Sequence, residues 1–381
     1  VVQAGEVVAD VPAGSLGDGP LYDRPSHKPE WLEAIGAIDV LVPPTDLGQA
    51  LLAILGSPNI ASKRWVYEQY DHMVMLGTVV KPGSDAAVLR IEGARSRIAL
   101  TVDGNGRYCH IDPRAGSAHS VAEAARNLSA LGARPVAITN CLNFGNPQRP
   151  EVMWQFKEAI AGIAQACDAL GTPVTGGNVS FYNESADLAI YPTPIIGMVG
   201  ILDHDVTPPV TGFAEGRIVA VVGDTLPELG GSEYARSVLG LVGGKLPTLD
   251  LAREATTGET VRSAIASGLL ASVHDISSGG IGVALAECAV LGSTGVLVTP
   301  PDDLDAYLWL FSESASRYLV SFDEVHVERL RGDFAEAGCG LHVIGRTVGD
   351  RLIVEGALDL GVPELRSAYM DSFARAMSDG G

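Results

Sequence analysis

Along this chain the spacing of apolar residues shifts between three-and-four, strict alternation and short unbroken runs, and those shifts mark out its elements. The chain opens on an alternating stretch, Glu6-Val7-Val8-Ala9-Asp10-Val11, and leaves it through Gly14, Gly17 and Pro20. Residues 1–28 therefore read as the tail of a preceding domain plus a linker, with that domain beginning upstream of Val1. Residues 29–84 read as a helical linker region, because Trp31, Leu32 and Ile35, then Leu47, Leu51 and Leu55, recur at helical spacing. Thr45 or Asp46 would cap the second of these helices and Gly56-Ser57-Pro58 would stop it. A third helix is expected over 62–70.

From residue 85 onward strands and helices alternate. Residues 86–91 and 97–102 predict strands, and 117–131 predicts a helix with Val121, Ala124, Leu128 and Leu131 on one face. Residues 135–142 predict a strand that runs into an Asn/Gly/Pro loop. The clearest helix is 150–170, where Val152, Phe156, Ile160, Ile163 and Cys167 fall three and four apart before Gly171 and Pro173. An apolar strand at 192–202 closes this module. After the Pro/Thr/Gly stretch 206–215, strands are expected at 217–222, 271–274, 294–298, 318–322 and 341–346, with helices at 251–267, 280–291 and 325–337. The fold class is thus α/β, of the α+β type, in two modules spanning 85–205 and 206–381.

Composition narrows what these modules do. Forty-six acidic against 26 basic residues leave a net charge of −20. With no basic run to offset it, that charge opposes nucleic acid and anionic membrane surfaces as partners. The 45 glycines are about 12% of the chain, above the usual share of roughly 7%, and they cluster in short turns. Five widely spaced cysteines (Cys109, Cys141, Cys167, Cys288, Cys339) form no C-x-x-C pair, which argues against a disulfide framework or zinc site and for a reducing cytoplasm. No apolar stretch is long enough to span a bilayer, and the N-terminus has no signal-peptide pattern.

Two segments carry the chemistry. Thr139-Asn140-Cys141-Leu142-Asn143-Phe144-Gly145-Asn146-Pro147 follows one strand, and Thr175-Gly176-Gly177-Asn178-Val179-Ser180-Phe181-Tyr182-Asn183-Glu184 follows Pro173-Val174. Paired glycines let backbone approach a ligand closely and can turn amides toward phosphate oxygens. Asn carbonyls and Glu carboxylates are hard oxygen donors suited to Mg2+. No Gly-Lys-Ser/Thr follows, so this is not a Walker A loop. Both segments read equally as Asn/Gly turns closing strand-to-helix connections.

Other positions each have two readings. Asp275, in His274-Asp275-Ile276-Ser277-Ser278-Gly279-Gly280, is a metal ligand candidate, or else Asp275 or Ser277 caps the following helix. Gly230-Gly231-Ser232-Glu233-Tyr234 is a turn plus cap or a phosphate contact. Glu313 and Arg317 are a structural pair or a substrate contact. Asp71 beside His72, after Tyr70, is the arrangement of an acid/base pair without a nucleophile. Arg107 and His110 are phosphate ligands or part of a solvated turn.

The run 140–147, the segment 175–184 and the helix between them resemble the second nucleotide-facing module of phosphoribosylformylglycinamidine synthase, in its small, separately encoded synthetase subunit. Ile60-Ala61-Ser62-Lys63-Arg64 and Phe311-Ser312-Glu313-Ser314-Ala315-Ser316-Arg317 belong to the same resemblance, which runs essentially from end to end and matches the C-terminal half of that subunit. It implies two modules like the N- and C-terminal domains of aminoimidazole ribonucleotide synthetase. It also implies ATP and Mg2+ as cofactors: Asn140 and Gly177 contact ATP, Asn178 helps ligate Mg2+, and Ser180 contacts formylglycinamide ribonucleotide. No catalytic residue is assigned to this half. The implied partners are the missing N-terminal half, a glutaminase subunit and a small accessory subunit, with a homodimer through residues near 85–205 as a further expectation for the fragment. Many members of the family carry Asp where this chain has Asn140, which puts any charge-based role there in doubt. Arg126-Asn127 stands where the active half has Arg-Asp, which implies a metal-poor second site. Two alternatives remain at this point: a complete aminoimidazole ribonucleotide synthetase, and a non-catalytic half that holds a nucleotide as a scaffold.

Overall fold

Two sheets organise the chain, and they differ in how many of their faces are covered. The computed structural model describes residues 1–17, 19, 21–185 and 188–379. The first sheet has six strands in the order Thr78–Val80, Ala87–Arg90, Arg97–Asp103, Thr193–Leu202, Arg134–Asn143 and Val174–Ser180. Neighbours run antiparallel except the last two, which are parallel. Helix Pro150–Leu170 makes the crossover that a parallel pair needs. Pro150 begins it, and Gly171, left-handed at φ 65°, ends it.

Burial alternates residue by residue through Thr193–Leu202, as it does in a sheet packed on one face only. On the packed face Ile138, Leu142, Ile196, Met198 and Leu202 meet Val121, Leu128, Ala159 and Ile163 from helices Pro113–Ala130 and Pro150–Leu170. The other face carries Ile98, Leu100, Val102, Ile195 and Val199 by the same alternation and register. It is open, with Val102 71% and Leu100 39% exposed.

The second sheet has seven strands, ordered Ser272–Asp275, Tyr318–Phe322, Ile218–Val222, Leu341–Thr347, Val296–Val298, Arg351–Val354 and Leu358–Gly361. Every residue of Ile218–Val222 and Tyr318–Phe322 is buried, because helices cover both faces. Leu47–Leu55, Gly280–Gly292 and Ala306–Phe311 pack on one side, and Leu251–Ala266 with Val327–Glu336 on the other.

Helix Pro113–Ala130 joins the two modules. Asp112 caps it by accepting from the amides of Arg114 and Ala115. The sequence predicts one apolar face, yet almost the whole helix is buried, including His119, Arg126 and Asn127. Its polar side lies against Leu251–Ala266 of the second module, where Arg126 pairs with Glu254 and Ser129 accepts from Arg262. Tertiary pairing thus buries a face that looks solvated in the sequence.

Other differences follow from short or edge elements that carry little periodicity. Thr78–Val80 belongs to the first sheet although it lies in the expected linker region. The helix expected over 62–70 shortens to Arg64–Tyr67. Ala306–Phe311, Arg351–Val354 and Leu358–Gly361 were not anticipated, and the N-terminal alternation forms only a two-residue-per-strand hairpin, Val2–Gln3 with Glu6–Val7. All five cysteines are free. Among the described residues no helix is long and apolar enough to cross a membrane.

Gly162 tests the helix packing. A Cβ there would lie 2.1 Å from the carbonyl oxygen of Arg114, so backbone would have to move. Gly162→Ala should lower stability by about 1–3 kcal/mol, read as a lower urea midpoint at unchanged slope.

Candidate functional site

The segments 139–143 and 174–180 lie side by side: the first ends the strand expected over 135–142, and the second is a strand where the sequence suggested a loop. In the parallel register Asn140 stands opposite Gly177, Cys141 opposite Asn178 and Asn143 opposite Ser180. Asn140 continues the face of Ile138 and Leu142, and its side chain lies over Gly177. A Cβ on Gly177 would sit 2.3 Å from Asn140 Oδ1, so this approach requires glycine. Asn178 and Ser180 share the opposite, open face with Cys141 and Asn143. Val174–Ser180 is the edge strand, so the backbone groups on its outer side have no strand partner.

Beyond the strands the two chains remain tied together. The amide of Phe144 donates to Ser180 O at 3.0 Å, and that of Tyr182 to Gly145 O at 3.0 Å. Asn183 Nδ2 reaches Phe144 O at 3.0 Å and Ser180 Oγ at 3.1 Å. Asn143 Nδ2 donates to Thr193 O at 3.0 Å. The wall so formed offers amide, hydroxyl and backbone groups. Among the described residues its nearby carboxylate is Glu184, which faces Arg149 at 3.3 Å. These donors fit one side of a polyphosphate, and Asn178 can give a cation a single neutral oxygen. The charged ligands that Mg2+ prefers are not in this wall.

Acids gather instead in a cleft of about 530 Å3 between the modules, where Asp85, Asp103 and Asn127 face Thr211, His274, Asp275 and Glu287. His274 Nδ1 is 2.7 Å from Asp85 and its Nε2 is 2.7 Å from Glu287. Burial pulls His274 down, but the Asp85 charge and the hydrogen bonds to both carboxylates hold it well above its ordinary value. Burial pushes Asp85 up, and His274 with the Asp275 amide overrides it to a value below the ordinary one. Asp275 is raised well above the usual carboxylate range by burial and by Asp85. Asp85, His274 and Asp275 present ligand atoms within 4.8 Å of one another, the spacing of a cation site, and the imidazole lies hydrogen-bonded between Asp85 and Glu287. Asp103 accepts from Asn127 Nδ2 at 3.1 Å, and burial with the Glu123 charge pushes it up to about 8. Sequence reasoning missed Asp85 and Glu287, single acids far from His274 along the chain with no motif around them.

The remaining candidates resolve as structure. Ser232 caps Glu233–Ser237. Gly279, not Asp275 or Ser277, holds the cap position of Gly280–Gly292. Glu313 and Arg317 do not pair with each other. Glu313 accepts from Tyr108 OH at 2.6 Å and from the amides of Gly279 and Glu233 at 2.7 and 2.8 Å. Arg317 donates to the carbonyls of Ser312 and Ser314 at 2.7 and 2.8 Å. Asp71 accepts from the Met73 amide in a tight turn and leaves His72 without an acid partner. Arg107 binds Glu233 at 2.5 Å, and His110 is stacked between Trp31 and Tyr191.

A one-sided and a two-sided sheet, joined by a buried polar helix with a cleft between them, are the two domains of one class. The chain belongs to the AIR synthase related proteins: residues 83–202 match that family's N-terminal domain and 214–356 its C-terminal domain. Within it, the chain is 50% identical over 358 residues to phosphoribosylformylglycinamidine synthase subunit PurL of Moorella thermoacetica, covering 93% of this chain and 49% of that one. The chain therefore spans about half the length of this curated relative. Its fold matches Thermotoga maritima PurL complexed with FGAR, at a TM-score of 0.70 and 19% identity over 85% of this chain and 54% of the other. It matches the same protein complexed with ATP at 0.66 and 18%, over 86% and 53%.

Asp103 carries a test of the cleft. Its folded pKa lies above the unfolded value of about 3.9, so the folded state binds more protons between those values and stability falls as pH rises from about 4 to 8. Asp103→Asn keeps an acceptor oxygen for Asn127 Nδ2 without the charge. It should flatten that decline, so its urea stability exceeds wild type at pH 8 by more than at pH 5.

Proposed function

We propose that this chain forms one half of the synthetase subunit of phosphoribosylformylglycinamidine synthase, the ATP-dependent carbon–nitrogen ligase of purine biosynthesis. The observation that carries the reading is the glycine-dependent pairing of Asn140 with Gly177 at the sheet edge, with Asn178 and Ser180 following on the opposite, open face of the same strand. The identity to PurL over nearly the whole chain supports the same reading. In it, Asn140 and the Gly177 backbone hold ATP, and Ser180 holds formylglycinamide ribonucleotide.

The reaction transfers the γ-phosphoryl group of ATP to the formylglycinamide oxygen, giving an iminophosphate and ADP. Ammonia, released from glutamine by a partner glutaminase, then attacks the activated carbon. Phosphate leaves with the former amide oxygen, and the amidine remains. Mg2+, when bound, neutralises phosphate charge, and Asn178 supplies one of its oxygen ligands. This wall works by position: it fixes phosphates and substrate in line and excludes water, which is most of what phosphoryl transfer needs from a protein. Asn140 accepts or donates a hydrogen bond as a neutral amide, so the site gains no negative charge against the triphosphate from this residue. Charged metal ligands and the catalytic base come from the other half of the subunit.

That other half also accounts for the open apolar face of the first sheet, which it covers in the whole subunit. Alone, the chain covers this face by pairing with a second copy. A glutaminase subunit, a small accessory subunit and a cytoplasmic setting complete the reading.

Three measurements test it. The isolated chain should give no turnover of formylglycinamide ribonucleotide with ATP and ammonia, and activity should appear on adding the complementary half; turnover by the chain alone refutes the assignment, and ATP-dependent ring closure would instead identify a complete aminoimidazole ribonucleotide synthetase. In the assembled subunit Gly177→Val, which drives Asn140 out of place, should weaken ATP binding at least tenfold, about 1.4 kcal/mol or more. Sedimentation of the isolated chain should show a dimer that Val102→Asp dissociates, whereas a strict monomer at high concentration rejects the pairing.

A further inference from the structure

The junction between the modules holds a second pocket, of about 310 Å3, on the far side of Arg126 from the acidic cleft. Arg126, Ser129 and Arg134 line it from the first module, and Glu254, Glu259, Arg262 and Tyr318 line it from the second. In a chain of net charge −20 this pocket gathers three arginines. Arg126 is spoken for by Glu254 at 2.9 Å. Among the described residues neither Arg134 nor Arg262 has a carboxylate within 4.0 Å. Arg134 makes no side-chain hydrogen bond, and Arg262 donates only to Ser129 Oγ, at 2.7 Å. Burial draws the Arg262 guanidinium below its ordinary value, and the neighbouring Arg134 charge adds to this.

Two carboxylates also line the pocket: Glu254 pairs with Arg126, and the Glu259 charge acts on Arg262 without reaching ion-pair distance, so the arginines keep an excess of one positive charge there. Tyr318 supplies an independent observation. It is 1% exposed, and its hydroxyl has no hydrogen-bond partner, which is costly for a buried donor. Around Gly258 the polar atoms converge: a Cβ at that position would lie 3.1 Å from Ser129 Oγ, 3.2 Å from Arg262 Nη1 and 3.5 Å from Tyr318 OH. Glycine keeps that cradle clear.

We propose that this pocket binds a small tetrahedral oxyanion of the phosphate class, held by the guanidiniums of Arg134 and Arg262 with the Tyr318 hydroxyl as a third donor. Planar guanidiniums match the paired oxygens of such an anion, and the site draws residues from both modules, so an anion there ties the modules together. The anion is either free phosphate or the phosphoryl group of a nucleotide. This site is separate from Asn140, Gly177, Asn178 and Ser180 and does not depend on their role.

The test is calorimetric titration of the 381-residue chain with inorganic phosphate at fixed ionic strength, with chloride and AMP as parallel titrants. Saturable phosphate binding is expected in wild type and in Gly177→Val. It should weaken at least tenfold in Arg134→Gln and in Arg262→Gln, and several-fold in Tyr318→Phe. Arg134 is exposed, so its variant stays folded even if Arg262→Gln does not. AMP binding more tightly than phosphate, and losing affinity in Arg134→Gln, would name a nucleotide as the source; phosphate alone binding would name the free anion. Equal phosphate affinity in wild type and Arg134→Gln, or chloride giving the same heat, would overturn the proposal.

Discussion

Helices Pro113–Ala130 and Pro150–Leu170 cover one face of the first sheet and leave the other, with Leu100 and Val102, open to solvent. An apolar sheet face in water is a standing demand for a partner. The same open face carries the side chains of Asn178 and Ser180 at its edge, so whatever covers the apolar strands also closes over the polar wall. The Asn178 and Ser180 side of the site and the open apolar face are thus one surface, while Asn140 lies on the helix-covered face behind them. This physical link joins the proposed half-site to the half-length match with PurL.

The second constraint lies at the junction of the modules. Helix Pro113–Ala130 is almost wholly buried, and its polar residues find partners within its own module or across the boundary. Arg126 meets Glu254, Asn127 meets Asp103, and His119 reaches Pro247 O at 2.9 Å. Buried pairs of this kind add little net stability over apolar packing, but losing one member leaves an unpaired group in a poorly solvating interior. They therefore fix the orientation of the modules more than they strengthen it. Arg126 stands between the acidic cleft and the arginine-lined pocket, with its Nε 3.9 Å from Asp275 Oδ2 and neither atom hydrogen-bonded. Arg126 lines the second pocket, and Asp275 beside it lines the cleft.

The acidic cleft and the neutral wall divide the electrostatic work. In the cleft His274 is held between Asp85 and Glu287, and burial keeps Asp103 and Asp275 from ionising as readily as carboxylates do in water. The wall at 140–180 has no free acid among its donors. A triphosphate approaching it meets amides and hydroxyls, not repulsion, and this fits a surface that positions an anion while the charge-bearing chemistry comes from elsewhere.

The sequence by itself determined the long helices and the central strands, because 150–170 and 192–202 carry periodicities that only one kind of element satisfies. It also determined that 139–143 and 174–180 flank one helix, and hence that they would be near each other. Their form as paired strands, with Asn140 over Gly177, was settled only in the tertiary structure, since glycine and asparagine carry no strand propensity and the pairing comes from the neighbouring strand. The apolar face expected for the helix at 117–131 packs on the first sheet as its spacing implies, but burial of its polar side was not legible, because the second module supplies partners there. Of the cluster in the cleft, Asp275 beside His274 was legible as a metal-ligand candidate, but Asp85, from a bend before Ala87–Arg90, and Glu287, from helix Gly280–Gly292, were not, because only folding brings them to the strand that carries His274. Local periodicity is written in neighbours along the chain; charge pairing and pockets belong to neighbours in space.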